Sequence, residues 1–265
     1  VKSIGNSVFE QCTSLKNVVI ESSVSFIGSS AFRGCSSLEE IIIASELTQF
    51  SDLILCGCVK LEHISIPISV KVIGKSAFES CSSLVSIELP NCLEVIDKCS
   101  FRGCSSLEEI EIPPNVCQIG ESSFEGCLLL KQITIPPFVK SIEESTFREC
   151  SNLIQILIPS SVTEIKSHAF RGCSSLVYLE IPSSVKSIGI YAFYGCSSLV
   201  QIEIPSSITS IEDHTFRGCS SLEEISIPLS VTSIGEKAFC GCLSLRKISI
   251  PDSVETIGID AFRGC

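Results

Sequence analysis

The sequence predicts a solenoid of the α/β class, mostly strand and loop, in which short parallel strands stack from coil to coil and are joined by short helical turns. The first observation is a 23-residue unit that recurs about eleven and a half times without insertion or deletion, most clearly from Ile181 onward. The second is that apolar residues keep the same place in nearly every copy. A fixed period of roughly 20 to 50 residues is typical of units that bury their apolar side only against their neighbours.

Three apolar columns predict a continuous core. Leucine occupies one column in every copy from Leu15 to Leu245. The isoleucine column, in which Leu89 fills one place, is Ile20, Ile43, Ile66, Ile112, Ile135, Ile158, Ile181, Ile204, Ile227 and Ile250. The phenylalanine column, broken only by Leu55, is Phe9, Phe32, Phe78, Phe101, Phe124, Phe147, Phe170, Phe193, Phe216, Phe239 and Phe262. We expect the phenylalanine column to be the spine of the core.

The first part of each copy predicts a strand and a turn. Leu179 and Ile181 alternate with Glu180, the pattern of a strand with one buried side. Pro182 follows directly and ends the strand, because proline cannot donate to a sheet ladder. Stacking these strands is expected to produce one long open sheet.

The second part of each copy returns the chain to the next strand. Val185 and Ile188 predict a second extended stretch, and Gly189 would permit the reversal that follows it. Ala192 and Phe193 predict a single helical turn, too short to be stable alone. The unit ends on a Gly-Cys-Ser-Ser segment at residues 195–198.

The unbroken period predicts one domain, a single solenoid over residues 1–265. Neither end carries the atypical polar-faced repeat that such arrays need for solubility, so we expect the chain to be a segment of a longer protein. The net charge of −11 argues against nucleic acid as a partner, since a phosphate-binding surface needs clustered Lys and Arg. No apolar run approaches the roughly 20 residues that span a bilayer, so no membrane insertion by this segment is expected.

Candidate chemistry is sparse. Twelve of the 17 cysteines share one column and are expected to be small buried thiols. His168 and His214 share a column but lie two coils apart, about 10 Å, too far for one metal ion. No nucleophile has a local catalytic motif. The sequence therefore predicts no catalytic, metal or cofactor site and no enzyme.

The repeat resembles a known family. Residues 107–112, Leu-Glu-Glu-Ile-Glu-Ile, match the strand portion of a leucine-rich repeat. The pattern Pro-x-x-Val-x-x-Ile-Gly-x-x-Ala-Phe-x-x-Cys-x-x-Leu, as in residues 182–199, resembles the BspA-like subclass and covers the whole chain. The copy at residues 44–61 departs most, with Ala44, Phe50, Ser51 and Leu55 at pattern positions. The resemblance implies a horseshoe-like fold and a secreted or surface-exposed protein that attaches to host matrix proteins, cells or other microbes.

The outward strand positions are the predicted partner surface. They vary between copies while the inward positions stay nearly constant, as expected if packing fixes only the latter. The predicted protein-binding residues are Glu88, Glu109, Glu111, Gln132, Gln155, Tyr178, Glu180, Gln201 and Glu203. The favoured hypothesis is an adhesin that binds host extracellular matrix or cell-surface proteins. The alternative is an intracellular interaction scaffold, which abundant free thiols would suit.

Overall fold

Each 23-residue copy forms one coil with up to two short strands, in a computed structural model that describes residues 1–265. In the first strand the middle residue is buried and its neighbours point outward, as Ile87 does between Ser86 and Glu88. The second strand has two residues, of which the isoleucine is usually buried, as in Ser187–Ile188. The alternation predicted from sequence therefore sets which side chains face the core.

The coils form two compact units. The strands of Val1–Phe138 are β1 Ser3–Ile4, β2 Asn17–Ile20, β3 Phe26–Ile27, β4 Glu40–Ile43, β5 Gln49–Phe50, β6 His63–Ser65, β7 Val72–Ile73, β8 Ser86–Glu88, β9 Val95–Ile96, β10 Gln118–Ile119 and β11 Gln132–Thr134. The strands of Val139–Cys265 are β12 Ser141–Ile142, β13 Gln155–Leu157, β14 Glu164–Ile165, β15 Tyr178–Leu179, β16 Ser187–Ile188, β17 Gln201–Ile202, β18 Ser210–Ile211, β19 Glu224–Ser226, β20 Ser233–Ile234, β21 Lys247–Ser249 and β22 Thr256–Ile257. A single solenoid over residues 1–265 remains a prediction.

The sequence repeat is also the pairing register. Strands pair in parallel with partners one copy apart, as in Tyr178 with Gln201. The first strands do not form one long sheet, however. In Val1–Phe138, β2 pairs with β4 and β6 pairs with β8, but no ladder joins β4 to β6. The expectation of a continuous sheet is wrong, because strands of two to four residues offer only a few ladder bonds and are easily interrupted.

The structure confirms the solenoid of stacked parallel strands but contains no helix. Residues 190–195, where the sequence predicts a helical turn, form consecutive non-helical turns. Tyr191 and Gly195 have φ values of 58° and 72°, and the left-handed conformation at two nearby places prevents a right-handed helical turn. Gly189 does not have a positive φ. A Cβ on Gly189 would instead lie 2.5 Å from the backbone nitrogen of Ser167, so glycine here permits close approach of the preceding coil.

Stacked phenylalanine rings form the core of each unit. In Val139–Cys265 the ring centroids of Phe170 and Phe193 lie 5.4 Å apart with planes 5° from parallel. In Val1–Phe138 the column continues past Leu55 because Phe50, from the second strand of the same copy, stacks on Phe78 with centroids 5.6 Å apart. Leu55 and Phe50 are both fully buried. In the copy at residues 44–61, Phe50 therefore supplies the ring that Leu55 lacks.

All 17 cysteines are free thiols. The column residues lie beside the phenylalanines, and most donate a hydrogen bond from Sγ to a backbone carbonyl of the preceding coil. Cys196 donates in this way to Phe170 at 3.2 Å, and Cys219 to Phe193 at 3.2 Å. The thiol column is thus a set of links between coils, a role that the spacing did not reveal.

Candidate protein-interaction face

Within each unit, the first strands of successive coils present a surface, called here the sheet face. In each coil it comprises the outward residue on either side of the inward residue of the first strand, or of the equivalent segment where no strand forms, together with the residue that precedes them. All nine predicted binding residues are exposed on it. Exposure is what a binding role requires, and that role itself remains a prediction.

The predicted residues fall into two groups, one in each unit. In Val1–Phe138, Glu109 is bridged to Ser86 on β8, which places it beside the strand that carries Glu88. Glu111 follows on the same segment and Gln132 lies on β11. In Val139–Cys265, Tyr178 on β15 pairs with Gln201 on β17. Gln155 lies on β13. Glu180 directly follows the inward residue of β15, and Glu203 directly follows the inward residue of β17.

A cavity of about 550 Å³ lies on the sheet face of Val1–Phe138, where the ladder between β4 and β6 is interrupted. We call it the acidic pocket. Its lining residues are Glu39, Glu40, Ile41, Ile42, Ile43, Glu62, His63, Ile64, Ser65, Ser86 and Glu88. It therefore has four glutamates and no lysine or arginine in its lining, and such a cleft attracts basic groups.

Two contacts define the polar edge of the acidic pocket. The Nδ1 of His63 lies 3.3 Å from the Oγ of Ser86, which joins β6 to β8. Glu39 lies 4.0 Å from Lys16, an exposed pair that contributes little to stability. Of the predicted residues, only Glu88 lines the pocket. The predicted set did not include Glu40 and His63, although the 23-residue period places both at the same outward position as Ser86.

The sheet face of Val139–Cys265 carries an apolar patch instead. It consists of Ile154, Leu157, Val177, Tyr178 and Val200, of which Tyr178 is 52% exposed and Leu157 and Ile154 are each 55% exposed. The strands β13 and β15 are in contact, and the Val200 backbone nitrogen donates to the Val177 carbonyl at 3.1 Å. The patch is therefore contiguous across three coils. Contiguous exposed apolar surface around an aromatic ring is typical of interaction sites.

The buried thiols do not supply nucleophiles. Burial raises the pKa of Cys58, Cys196 and Cys242 to about 12, so these groups are protonated at neutral pH. No cluster of three or more His, Cys, Asp or Glu side chains is arranged to hold a metal ion. No helix in the structure is long and apolar enough to cross a bilayer.

Solved structures similar to this chain include bacterial leucine-rich repeat proteins. A leucine-rich cell surface protein from Faecalibacterium prausnitzii A2-165 is 33% identical with a TM-score of 0.67, the match covering 100% of this chain and 74% of that one. A leucine-rich repeat protein from Bacteroides ovatus ATCC 8483 is 29% identical with a TM-score of 0.62, covering 100% of this chain and 80% of that one. The pneumococcal vaccine antigen PcpA, at 23% identity and a TM-score of 0.61, covers 93% of this chain and 66% of PcpA, and shows the fold alone.

The comparison with curated proteins finds no match. The family model for the BspA-type leucine-rich repeat region matches six times, within residues 2–97, 71–199 and 140–265, which together cover nearly the whole chain. The chain therefore belongs to the BspA-type leucine-rich repeat family.

Proposed function

We propose that this chain is the non-enzymatic, protein-binding repeat region of a cell-surface or secreted adhesin, and that it binds host matrix or cell-surface proteins through the sheet face. The observation that carries the proposal is the contrast between columns. The inward residues of the first strands are apolar in every coil. The outward residues differ in chemistry, from the carboxylate of Glu88 to the aromatic ring of Tyr178. A regular scaffold with varied outward side chains suits recognition of an extended protein surface.

The sheet faces of the two units would offer a partner different chemistry. The acidic pocket favours a lysine or arginine of the partner, because its lining has four glutamates and no lysine or arginine. The apolar patch favours an aliphatic or aromatic anchor, because Tyr178 and its neighbours would be desolvated by it. The cell-surface relative from F. prausnitzii supports a surface location for the protein.

The test is binding of the folded chain to a panel of matrix proteins and to intact host cells at physiological salt. A sheet-face variant carries Glu88→Lys, Glu109→Lys, Glu111→Lys and Glu180→Lys. A control variant has the same change in net charge at exposed glutamates away from the sheet face: Glu21→Lys, Glu144→Lys, Glu164→Lys and Glu255→Lys. Saturable binding by the wild type and the control, lost in the sheet-face variant, is the expected result. Retained binding in the sheet-face variant would contradict the proposal.

The apolar patch has its own test. Leu157→Ser together with Tyr178→Ser removes the two largest exposed apolar side chains of β13 and β15. We expect at least a tenfold loss of affinity, since central aromatic anchors carry about 2 kcal/mol or more of binding energy. The double substitution Ile68→Ser and Leu229→Ser, at exposed turn positions, is the matched control. Equal losses in both double variants would contradict a role for the patch.

The second candidate function is an intracellular interaction scaffold. The observation that favours it is the set of 17 free thiols, which a reducing compartment preserves. Counting thiols in protein isolated from its native source, before and after unfolding, tests it. Extensive disulfide bonding in that material would contradict the scaffold hypothesis.

A further inference from the structure

Three successive coils of Val139–Cys265 concentrate aromatic and basic side chains away from the sheet face. We call this group the arginine–tyrosine cluster. Its members lie on the turn segments after the second strands and are all half-buried: His168, Arg171, Tyr191, Tyr194, His214 and Arg217. The cluster holds two of the three histidines and two of the three tyrosines of the chain.

The rings and guanidinium groups of the cluster are stacked. The Cζ atoms of Arg171 and Arg217 lie 5.0 and 5.6 Å from the centroid of the Tyr194 ring, so two cations flank one aromatic ring. In the adjacent column, Tyr191 stacks on His214 with centroids 4.5 Å apart, and on His168 at 4.9 Å. Because each group is held by its neighbours, the donor groups are ordered before any ligand arrives.

Arg171 and Arg217 have no anionic partner, whereas Arg33, Arg102 and Arg263, at the same place in other coils, each have one. Arg33 lies 3.3 Å from Glu10, and Arg102 lies 3.3 Å from Glu125. Neither Arg171 nor Arg217 forms an ion pair with a carboxylate. The Nη1 of Arg217 lies 3.5 Å from the Nδ1 of His214. The Nε of Arg171 is also buried without a hydrogen-bond partner. Two unpaired guanidinium groups in a chain of net charge −11 indicate a place for an external anion.

Nearby acidic residues form no ion pair with the two arginines of the cluster. The Asp213 carboxylate accepts a hydrogen bond from the Glu236 backbone nitrogen at 2.6 Å, and Glu236 forms an ion pair with Lys237. The Glu149 carboxylate lies over Gly172, 2.7 Å from where a Cβ on that glycine would be, yet forms no ion pair with Arg171.

We propose that the arginine–tyrosine cluster binds the oxyanions of an acidic polysaccharide. Each arginine offers hydrogen-bond donors and no acceptor, in the fork geometry that sulfate and carboxylate groups match. Arg171 and Arg217 lie two coils apart, about 10 Å by strand spacing, so one small anion does not reach both. A polymer with an oxyanion in each repeating disaccharide does reach both. The site is separate from the sheet face and does not rest on protein binding there.

The test measures affinity of the full chain for three probes at low and physiological salt: a sulfated heparin-derived oligosaccharide, a hyaluronan oligosaccharide that carries only carboxylates, and neutral dextran. The variant is Arg171→Gln with Arg217→Gln. The control is Arg33→Gln with Arg102→Gln, which removes the same charge from the same column where carboxylates already neutralise it. Thermal unfolding of both variants checks that each is folded.

The expected result is salt-sensitive binding of the sulfated probe, the hyaluronan probe or both, with at least a roughly tenfold loss in Arg171→Gln/Arg217→Gln and less than about a twofold loss in the control. Which of the two acidic probes binds identifies sulfate or carboxylate as the oxyanion. Binding of neither acidic probe, equal binding of dextran, or equal losses in the two variants overturns the proposal.

Discussion

Alkaline pH is expected to unfold the protein through its buried thiols. Burial raises the pKa of Cys58, Cys196 and Cys242 to about 12, from an ordinary value of 9.0. Burial also raises the pKa of a second group of column thiols: Cys81, Cys104, Cys173 and Cys219. An unfolded thiol loses its proton near pH 9, whereas the folded protein retains it. Each column thiol therefore stabilises the fold below pH 9, and this contribution is lost as the pH rises toward 12.

The size of the effect follows from the number of thiols. Between about pH 9 and pH 10, each group costs about 1.4 kcal/mol of unfolding free energy. Seven such groups cost about 10 kcal/mol, which is comparable with the stability of a whole domain, about 5 to 15 kcal/mol. We therefore expect cooperative loss of structure close to pH 10 rather than a gradual change.

Urea unfolding followed by circular dichroism, with reductant present to keep the thiols free, measures this dependence. Cys196→Ser preserves a donor to the Phe170 carbonyl but removes one titrating group, and should reduce the slope by about 1.4 kcal/mol per pH unit above pH 9. Cys117→Ser, which removes an exposed thiol, is the control and should match the wild type. An unfolding free energy that is flat from about pH 8 to pH 10, or a wild-type slope in Cys196→Ser, would refute the reasoning.

Three further predictions concern stability. Phe170→Ala removes a fully buried ring from the stacked core and should cost about 3 to 5 kcal/mol in urea unfolding, so a loss below about 1 kcal/mol would show that packing around this ring is not a major contribution. Glu149 has a φ of 59° at a place where most coils have glycine, so Glu149→Gly should stabilise the protein by about 0.5 to 1 kcal/mol, and any destabilisation would contradict left-handed strain. Burial, with Arg217 and Lys237 nearby, lowers the pKa of His214 below its ordinary 6.5. The unfolded chain therefore binds a proton more readily than the folded protein, so the stability should fall as the pH decreases through this region. Thermal melts at about pH 7.5 and pH 5.5 should show a smaller fall for His214→Gln than for the wild type.

The two candidate sites use the solenoid in different ways. The sheet face depends on outward strand residues, whose direction is set by the two-residue alternation of a strand. The arginine–tyrosine cluster depends on turn residues at equivalent places in neighbouring coils, where the side chains stack on one another. In both cases a side chain acquires its neighbours from residues one copy away, as Tyr194 does between Arg171 and Arg217.

The sequence by itself determined the repeat, the register and the inward columns. Parallel coils with a fixed period must place equivalent residues side by side, so the pairing of Tyr178 with Gln201 follows from counting. The exposure of all nine predicted binding residues followed equally from alternation along the strands. These features were predictable because they depend on spacing and on the burial of apolar side chains, which are both local properties of the chain.

Only the tertiary structure decided how unlike residues meet. Phe50 replaces the ring missing at Leu55, although the two occupy different columns, because the core fills space regardless of which column supplies the ring. The acidic pocket arises where the ladder between β4 and β6 is interrupted, and the left-handed φ of Tyr191 replaces the expected helical turn. Such outcomes depend on the packing of neighbouring coils and on hydrogen bonds that backbone groups make across them, and neither is encoded in the period alone.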